Sequence, residues 1–344
     1  MGEYARSLAI AQGAAERWPG ASIRFILSRE APYAAQSPFP AALLASSPTF
    51  HSAAVIKIMN DWRPDIVIFD NAGRTAQLRA ARTIGARVVY ISARRRQRSK
   101  AFRLSWMRLI DEHWIAYPEF IAGKLRLLER FKLNLLARPV VRYLDVILMR
   151  ERESPVLGLG MADDYLLMVP GGGTGHPGAA DAVEIFLQAA RGLAALGVDT
   201  VFVGRAGTPS AVTEAAPGGS AGGTAAGSRA LLLGPLPQAE LAELMRGARL
   251  VIANGGSTLL QSIACGRASV AVPIAGDQAE RIRRCVGAGV AVAAPLAADA
   301  VVKIAVDLWR DRARLDALAG RAVALGLADG VEVALCAMTA LLPT

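Results

Sequence analysis

Short continuous apolar segments alternate along this chain with longer segments in which apolar residues recur every three or four positions. The first pattern is typical of strands buried in a parallel sheet, and the second is typical of amphipathic helices. Strands are predicted at residues 22–27, 66–69, 88–91, 114–117, 165–169, 200–203, 230–233, 250–253, 268–274 and 290–294. Helices are predicted at residues 3–17, 53–61, 75–84 and 102–110, and over most of 315–342. This alternation predicts βαβ units, and therefore parallel sheets.

The alternation restarts after a segment rich in charge, proline and glycine at residues 145–163. A chain of 344 residues is long enough for two domains with separate cores. We therefore predict an α/β protein of two tandem doubly wound, Rossmann-like domains, at residues 1–150 and 151–344. A doubly wound domain ordinarily begins with a strand, whereas this sequence begins with a helix. Either that first strand precedes Met1 or the domain is reduced, and we favour the former.

Composition narrows the classes of function. Hydrophobic residues make up 53% of the chain, yet no apolar run reaches 18 residues, so no transmembrane helix is predicted. The N-terminus also lacks the pattern of a secretory signal. Cys265, Cys285 and Cys336 lack metal-ligand spacing and are expected to be reduced core thiols of a cytoplasmic protein. The net charge of +10 favours anionic partners, namely phosphates, nucleic acid or an acidic membrane surface.

The segment at residues 248–285 holds the most informative pattern, because two predicted strands in it each end in a polar turn. Two glycines follow the first strand, and two hydroxyl residues can cap the next helix, which ends near Cys265. Ligands of open parallel sheets bind at the carboxyl ends of strands, where backbone N–H groups and helix dipoles attract anions. The residues of the two turns are Asn254, Gly255, Gly256, Ser257, Thr258, Asp277 and Gln278. They predict one half of a nucleotide site.

A glycine-rich loop at residues 171–178 follows the predicted strand at 165–169. Its glycines permit positive φ and close approach of the backbone, and the helix after Pro177 presents free N–H groups to an anion. The loop matches neither a Walker P-loop nor a clean Gly-x-Gly-x-x-Gly, so an ordinary tight turn is the alternative. His176 is expected either to donate a hydrogen bond to phosphate or sugar, or to cap the helix. The candidate binding residues are Gly172, Gly173, Thr174 and His176.

The order of these motifs resembles that of the GT-B glycosyltransferases, especially the branch containing the bacterial peptidoglycan N-acetylglucosaminyltransferase. Nucleotide-sugar hydrolases and UDP-N-acetylglucosamine 2-epimerase use the same superfold. Family members often begin with a strand followed by Gly-x-Gly-His-x-x-Arg. Residues 2–6 match the end of that motif, with Glu3 in the histidine position, and residues 63–70 resemble a common strand that ends in aspartate. The resemblance covers most of the chain, but its specific motifs lie mainly at residues 171–289.

The resemblance implies that the second domain binds a nucleotide-sugar donor. In the family, the backbone amides of a Gly-x-x-Thr-x-x-Glu pattern bind phosphate, and the glutamate of the pattern binds the ribose hydroxyls. Here Gln261 takes the acidic position, so a ribose hydrogen bond would lack charge assistance. Asp277 and Gln278 resemble a signature that contacts the donor sugar, and a solvated helix cap is the alternative. Arg205, after the predicted strand at 200–203, stands where a diphosphate contact would be useful.

A basic run at residues 93–103 places six cations in eleven residues after the predicted strand at 88–91. No RNA- or DNA-binding motif accompanies it, which disfavours nucleic acid. A phosphate-bearing acceptor, such as a lipid-linked sugar at an acidic membrane leaflet, would need such a loop. We expect Phe102, Trp106 and Met107 to touch lipid. A solvated charge run is the alternative.

Inverting sugar transfer needs a base for the acceptor hydroxyl and positive groups for the leaving diphosphate. No metal cluster is visible in the sequence, so helix N-termini and arginines are expected to serve the diphosphate. Glu3 is the first candidate base and Asp70 the second, although both also fit ordinary helix or strand caps. His113 is expected to be structural.

The sequence therefore predicts a metal-independent GT-B glycosyltransferase, cytoplasmic and peripheral on the inner membrane. It would need no cofactor beyond its co-substrate, a nucleotide sugar that we expect to be UDP-linked. The acceptor would be a cell-envelope, lipid-linked or other molecule held by the first domain. The alternatives are a nucleotide-sugar hydrolase or 2-epimerase, and a non-catalytic nucleotide-sugar-binding subunit. Donor sugar, acceptor, stereochemical outcome and oligomeric state stay open.

Overall fold

A computed structural model describes residues 2–31, 33–147, 164–171, 179–204, 212–215 and 229–342. The chain divides into two compact units. The N-terminal unit combines Gly2–Ile147 with Ala328–Thr344, and the C-terminal unit is Leu148–Leu327. The last helix therefore belongs to the N-terminal unit, whereas the division at residues 1–150 and 151–344 groups it with the second half.

Strands and helices alternate through both units. The strands are β1 (Phe25–Ser28), β2 (Ala41–Leu44), β3 (Ile66–Asp70), β4 (Arg87–Ser92), β5 (Glu112–Ile115), β6 (Val140–Tyr143), β7 (Leu166–Val169), β8 (Thr200–Val203), β9 (Val212–Ala215), β10 (Arg229–Leu233), β11 (Leu250–Asn254), β12 (Ala268–Val272) and β13 (Val292–Ala293). The α-helices are α1 (Gly2–Arg17), α2 (Ser52–Trp62), α3 (Thr75–Thr83), α4 (Arg95–Ala101), α5 (Leu104–Met107), α6 (Glu119–Ala122), α7 (Leu127–Leu136), α8 (Ala179–Ala195), α9 (Gln238–Gly247), α10 (Ser257–Ala264), α11 (Gln278–Gly287), α12 (Ala298–Arg310), α13 (Arg312–Ala324) and α14 (Gly330–Leu341).

The C-terminal unit has one sheet with the strand order β13-β12-β11-β7-β8-β10-β9. All neighbours pair in parallel except β9, which is antiparallel to β10. Counted in chain order without β9, the six parallel strands have the order 3-2-1-4-5-6 of doubly wound nucleotide-binding domains. The order reverses between β7 and β11, and their carboxyl ends therefore flank the crevice where such sheets bind ligands.

The strands of this sheet are continuously apolar because both faces are covered. Successive side chains of a strand point to opposite faces. Leu166 and Met168 of β7 enter one core with α8 and α12, and Leu167 and Val169 enter the other core with α9. This burial fixes the register of β7 against β11, and with it the positions of Pro170 and Asn254 at the ends of these strands.

The N-terminal unit has a parallel sheet of order β3-β4-β5-β6 and a separate parallel pair, β1-β2. The strands β4 and β5 are buried, whereas the residues of β1 are only partly buried. No strand precedes α1 in the described residues.

The C-terminal helix α14 packs in the N-terminal unit. Ile10 of α1 shares a core with Trp114 and with Ala334 and Ala337 of α14. The two helices approach closely at Gly13, where an added Cβ would lie 2.8 Å from Val331. Arg17 forms an ion pair of 2.7 Å with a glutamate of α14. An amphipathic pattern alone does not tell which domain a terminal helix will cover, and that is why the sequence division places it differently.

Candidate functional site

One side-chain amide joins the two strand ends at the reversal point of the C-terminal sheet. Asn254 is buried at the end of β11, and its Nδ2 donates to the Pro170 carbonyl after β7 at 2.6 Å. Its Oδ1 accepts from Gly256 N at 2.7 Å. Gly171 follows with a φ of +83°, and a Cβ there would lie 1.9 Å from Asn254 Nδ2. Both the backbone angle and the lack of space therefore require glycine.

The two glycines after Asn254 are also enclosed. A Cβ on Gly255 would lie 2.7 Å from Ile282, and one on Gly256 would lie 2.6 Å from Asn254 Oδ1. The N–H of Gly255 is held by Val272 O and by Gln278 Oε1, each at 3.2 Å. The loop after β11 is therefore a fixed backbone surface that leaves no room for side chains at these positions.

The helix α10 begins directly after this loop with an uncapped N-terminus. Gly256 is the N-cap residue and has no side chain to bind the first-turn N–H groups. Ser257 and Thr258 are the first two helical residues, so the prediction that they cap the helix is wrong. Side-chain caps act from the residue before the first turn, and glycine occupies that place. The first-turn N–H groups and the positive end of the helix dipole are the features that bind phosphate in such folds.

Gln278 and Asp277 are neighbours with different environments. The buried Gln278 accepts from Ile274 N at 3.0 Å as well as from Gly255 N, and so it links the loops that follow β11 and β12. Arg281 lies one turn further along α11 than Gln278, and its guanidinium donates to the Gly255 carbonyl. Asp277, in contrast, has a side chain that is 73% exposed and does not cap α11. A donor-sugar contact by either residue stays a prediction.

Gln261 lies one turn into α10 and is half-buried. Its Nε2 donates to Gln238 Oε1 of α9 at 3.2 Å. Gln261 therefore lies on the same helix as the uncapped N-terminus. Its contact with ribose stays a prediction.

Five of the predicted binding residues lie outside the described residues. They are Gly172, Gly173, Thr174, His176 and Arg205. Their roles remain predictions.

In the N-terminal unit, Asp70 ends β3 and is bound to α1. Arg6 donates through Nε to Oδ2 at 3.0 Å and through a second nitrogen to Oδ1, and Ser7 donates to Oδ2 at 3.1 Å. The side chains of the ion pair are only 8% and 10% exposed. Burial raises the pKa of Asp70, against the opposing effect of Arg6. With both oxygens bound, this carboxylate holds α1 against the sheet.

Glu3, the other predicted base, is exposed in the first turn of α1. Its Oε1 accepts from Asn71 Nδ2 at 2.9 Å. Asn71 has a φ of +52°, and its Oδ1 accepts from Ala93 N at 2.7 Å, which joins the carboxyl ends of β3 and β4. The structure therefore brings Glu3 and Asp70 to the same end of one sheet. Asn71 is not among the site residues predicted from the sequence, although an asparagine directly after a strand is a typical residue for positive φ.

The basic run differs from its predicted form. Phe102, Trp106 and Met107 are buried, so the prediction that they touch lipid is wrong. Trp106 packs edge-on against Tyr90, and Lys100 lies over its ring, 4.1 Å from the centroid. These aromatic and thioether side chains lie in the core beneath the short helices α4 and α5, because the apolar side of this segment faces the sheet.

His113 is structural, as expected. It is fully buried on β5, where its Nε2 shares a hydrogen bond of 2.8 Å with Ser92 Oγ. Burial, with a smaller contribution from Arg98, lowers the pKa of His113 to about 3. The ring is therefore neutral near pH 7.

None of the helices in the described residues combines the length and the apolar character needed to cross a membrane. Within the same ranges, no group of three or more His, Cys, Asp or Glu side chains is placed to hold a metal ion.

Comparison with solved structures identifies the fold. The chain is similar to the glycosyltransferase of kitacinnamycin, at 15% identity and a TM-score of 0.59 over 98% of this chain and 95% of the other. It is similar to the spinosyn forosaminyltransferase SpnP, at 13% identity and a TM-score of 0.58 over 95% and 91%. It is also similar to a candidate UDP-N-acetylglucosamine 2-epimerase from Listeria monocytogenes, at 14% identity and a TM-score of 0.53 over 92% and 96%.

No protein-family model matches the sequence, and no curated protein matches it either. At identities of 13–15% the three solved structures establish the fold alone. They confirm the predicted fold class, because the glycosyltransferases among them are GT-B proteins with two Rossmann-like domains. The chain therefore has the GT-B fold.

Proposed function

We propose that this protein is a glycosyltransferase that moves a sugar from a nucleotide-sugar donor, UDP-linked, to an acceptor hydroxyl. The observation that carries the proposal is the arrangement at the reversal point of the C-terminal sheet. There Asn254 fixes the end of β11 to the end of β7, and the glycine loop leads into the uncapped N-terminus of α10. The similarity to two glycosyltransferases over more than nine-tenths of the chain supports the choice of reaction.

The donor half of the reaction follows from this geometry. A diphosphate leaving group gains negative charge as the glycosidic bond breaks, and preorganised N–H groups stabilise that charge. The first turn of α10 supplies such groups together with the helix dipole. Gln278 accepts from the N–H of Gly255 and Arg281 donates to its carbonyl, so the backbone of this loop is held in place before the donor binds. Gln261 is proposed to meet the ribose hydroxyls.

For the acceptor half, we assign Glu3 as the base that removes the proton of the acceptor hydroxyl. Its carboxylate is exposed and accepts one hydrogen bond, from Asn71, so it has further lone pairs for a hydroxyl. Asp70 has both oxygens bound by Arg6 and Ser7, and its role is to position α1. We propose that the acceptor is a lipid-linked or cell-envelope molecule.

A nucleotide-sugar 2-epimerase or hydrolase is the second candidate, favoured by the similarity to the candidate epimerase. It would use the same donor half but no separate acceptor. A non-catalytic binding subunit would share the donor half as well. The three possibilities therefore differ in the product and not in donor binding.

The test has two steps. Calorimetric titration with UDP, GDP, dTDP and CMP identifies the nucleotide, and Gly256→Ala should weaken that binding at least about tenfold because its Cβ would collide with Asn254 Oδ1. Gly320→Ala is the matched control, since an added Cβ there meets nothing within 4 Å. Incubation with the corresponding nucleotide sugars and membrane extracts, followed by mass spectrometry, should then show a glycosylated acceptor. Free sugar or an epimer without acceptor would favour the second candidate, and unchanged nucleotide affinity of Gly256→Ala would refute the donor site.

A further inference from the structure

The helix α7 presents its apolar side to solvent. Leu127, Leu128, Phe131 and Leu135 are 81%, 73%, 65% and 64% exposed. At 3.6 residues per turn these four side chains fall within about 100° of the helix circumference. A surface helix ordinarily turns its apolar side inward and its charges outward. In α7 the arrangement is inverted, and the one carboxylate of the helix, Glu129, is buried.

The orientation of α7 is fixed by a buried ion pair. Arg98 of α4 donates to Glu129 Oε2 at 2.8 Å, and both side chains are less than one-tenth exposed. The same guanidinium donates to the carbonyls of Ala122, Gly123 and Lys124 just before α7. Breaking a buried ion pair costs free energy because it leaves a buried charge without a partner, and this opposes a rotation of α7 that would bury its leucines. The exposure of the apolar side of α7 therefore follows from the fold.

Cations surround the exposed side of α7. Lys124, Arg126 and Arg130 are all exposed. Lys132 donates to the Phe102 carbonyl at 3.1 Å and so attaches α7 to the junction of α4 and α5. That junction carries the exposed side chains of Arg103 and Leu104, and no acidic residue occurs in residues 93–110.

We infer that this surface, formed by α7 and its flanking cations, docks on a membrane that contains anionic lipids. Leucine and phenylalanine insert into the boundary between headgroups and acyl chains, and lysine and arginine pair with the anionic headgroups. A second copy of this chain is a poorer occupant, because a two-fold contact would set Arg126 and Arg130 against the same cations. The apolar side chains that reach solvent are those of α7, whereas Phe102, Trp106 and Met107 are buried. Docking through α7 does not depend on the proposed reaction, since it is measured without a donor.

The test is cosedimentation of the full chain with vesicles of phosphatidylcholine alone and of phosphatidylcholine mixed with phosphatidylglycerol. We expect binding to the mixed vesicles that falls with added salt. The double variant Leu128→Gln/Phe131→Gln should lower the partition coefficient at least about tenfold, because it removes two inserted apolar side chains. The double variant Arg126→Gln/Arg130→Gln should lower it about fivefold for each cation removed. The matched control is Val323→Gln, which replaces an apolar side chain of α13 that is 68% exposed.

All substituted positions are exposed, so the variants should unfold at the temperature of the parent, which circular dichroism checks. Phe131→Trp provides a second readout, because its fluorescence should be quenched by brominated anionic lipid beyond the quenching of the parent. Equal binding of the parent to both vesicle types, or unchanged binding of Leu128→Gln/Phe131→Gln, would overturn the inference. The inference would also be overturned if the parent did not bind vesicles and instead formed dimers, or bound another protein, through Leu128 and Phe131.

Discussion

The side-chain amide of Asn254 and the carbonyl of Pro170 are joined by a hydrogen bond of 2.6 Å between residues 84 positions apart in the chain. The bond spans the two strands at which the order of the C-terminal sheet reverses. It also fills the space beside Gly171 and, through Oδ1, holds Gly256 at the start of α10. Asn254 therefore holds Pro170 and Gly171 after β7 and Gly256 before α10 in fixed positions at the proposed donor site.

Gly171→Ala should destabilise the C-terminal unit and weaken nucleotide binding. A Cβ would lie 1.9 Å from Asn254 Nδ2, and a φ of +83° is unfavourable for alanine. We expect a loss of about 1–3 kcal/mol in the free energy of unfolding, measured by urea denaturation. The control Gly320→Ala lies in α13, where alanine is expected to be neutral or to stabilise by up to about 1 kcal/mol. Equal stability of both variants would show that the loop adapts to the extra atom.

Gln278→Ala and Asp277→Ala should separate a positioning role from a surface role. The first change removes the acceptor of two backbone N–H groups, at Gly255 and Ile274, and should cost about 2 kcal/mol of unfolding free energy. The second alters an exposed side chain and should stay within about 0.5 kcal/mol of the parent. Denaturation with urea measures both. If Gln278→Ala unfolds like the parent, Gln278 does not hold the two loops.

Glu3→Gln and Asp70→Asn should divide catalysis from stability. We expect Glu3→Gln to lower kcat about 10²–10⁴-fold with an unchanged Tm, because it removes the proposed base and leaves the fold intact. Asp70→Asn leaves the buried Arg6 without its counter-charge and should cost about 3–5 kcal/mol of unfolding free energy. Thermal unfolding and initial rates with the identified donor give both quantities. Full activity of Glu3→Gln would remove Glu3 from the role of base, whatever the result for Asp70→Asn.

Strands buried on both faces could be predicted well from the sequence. Thr200–Val203 forms the strand predicted there, because a short apolar run between polar turns has few other ways to bury itself. Edge strands were harder. Ala41–Leu44 and Val212–Ala215 were not predicted, since a strand with one neighbour carries a weaker apolar signal.

The glycines of the site could be predicted, but the hydrogen bonds around them could not. Gly255 and Gly256 stand where a strand must turn into a helix, which local sequence reveals. The partner of Asn254 is distant in the chain, and only the packed sheet determines it. Arg98 illustrates the same limit, because a cation in a basic run is ordinarily solvated, whereas this one is buried against Glu129.

The stability of the N-terminal unit should fall as the pH is lowered from about 6.5 to about 3. The pKa of buried His113 is lowered to about 3, whereas in the unfolded chain it stays near its usual 6.5. Between these values the unfolded state binds a proton that the folded state does not, so acid favours unfolding, by up to about 1.4 kcal/mol per pH unit. His113→Gln should flatten this dependence. Urea denaturation at several pH values measures it, and an equally steep profile in the variant would assign the effect to another group.

Gln261→Glu should strengthen nucleotide binding if this side chain meets the ribose. A carboxylate accepts hydrogen bonds from hydroxyls more strongly than an amide oxygen does, and we expect a Kd for UDP that is about tenfold lower. Gln238 can turn its amide to donate to the new carboxylate, since the two side chains are 3.2 Å apart. Gln238→Glu is the matched control, because it adds the same charge on α9 at the residue bonded to Gln261. Calorimetry with UDP and with its 2′-deoxy and 3′-deoxy forms tests the assignment. The gain should vanish when the contacted hydroxyl is missing; a gain that persists with both deoxy forms, or that Gln238→Glu reproduces, would place the ribose elsewhere.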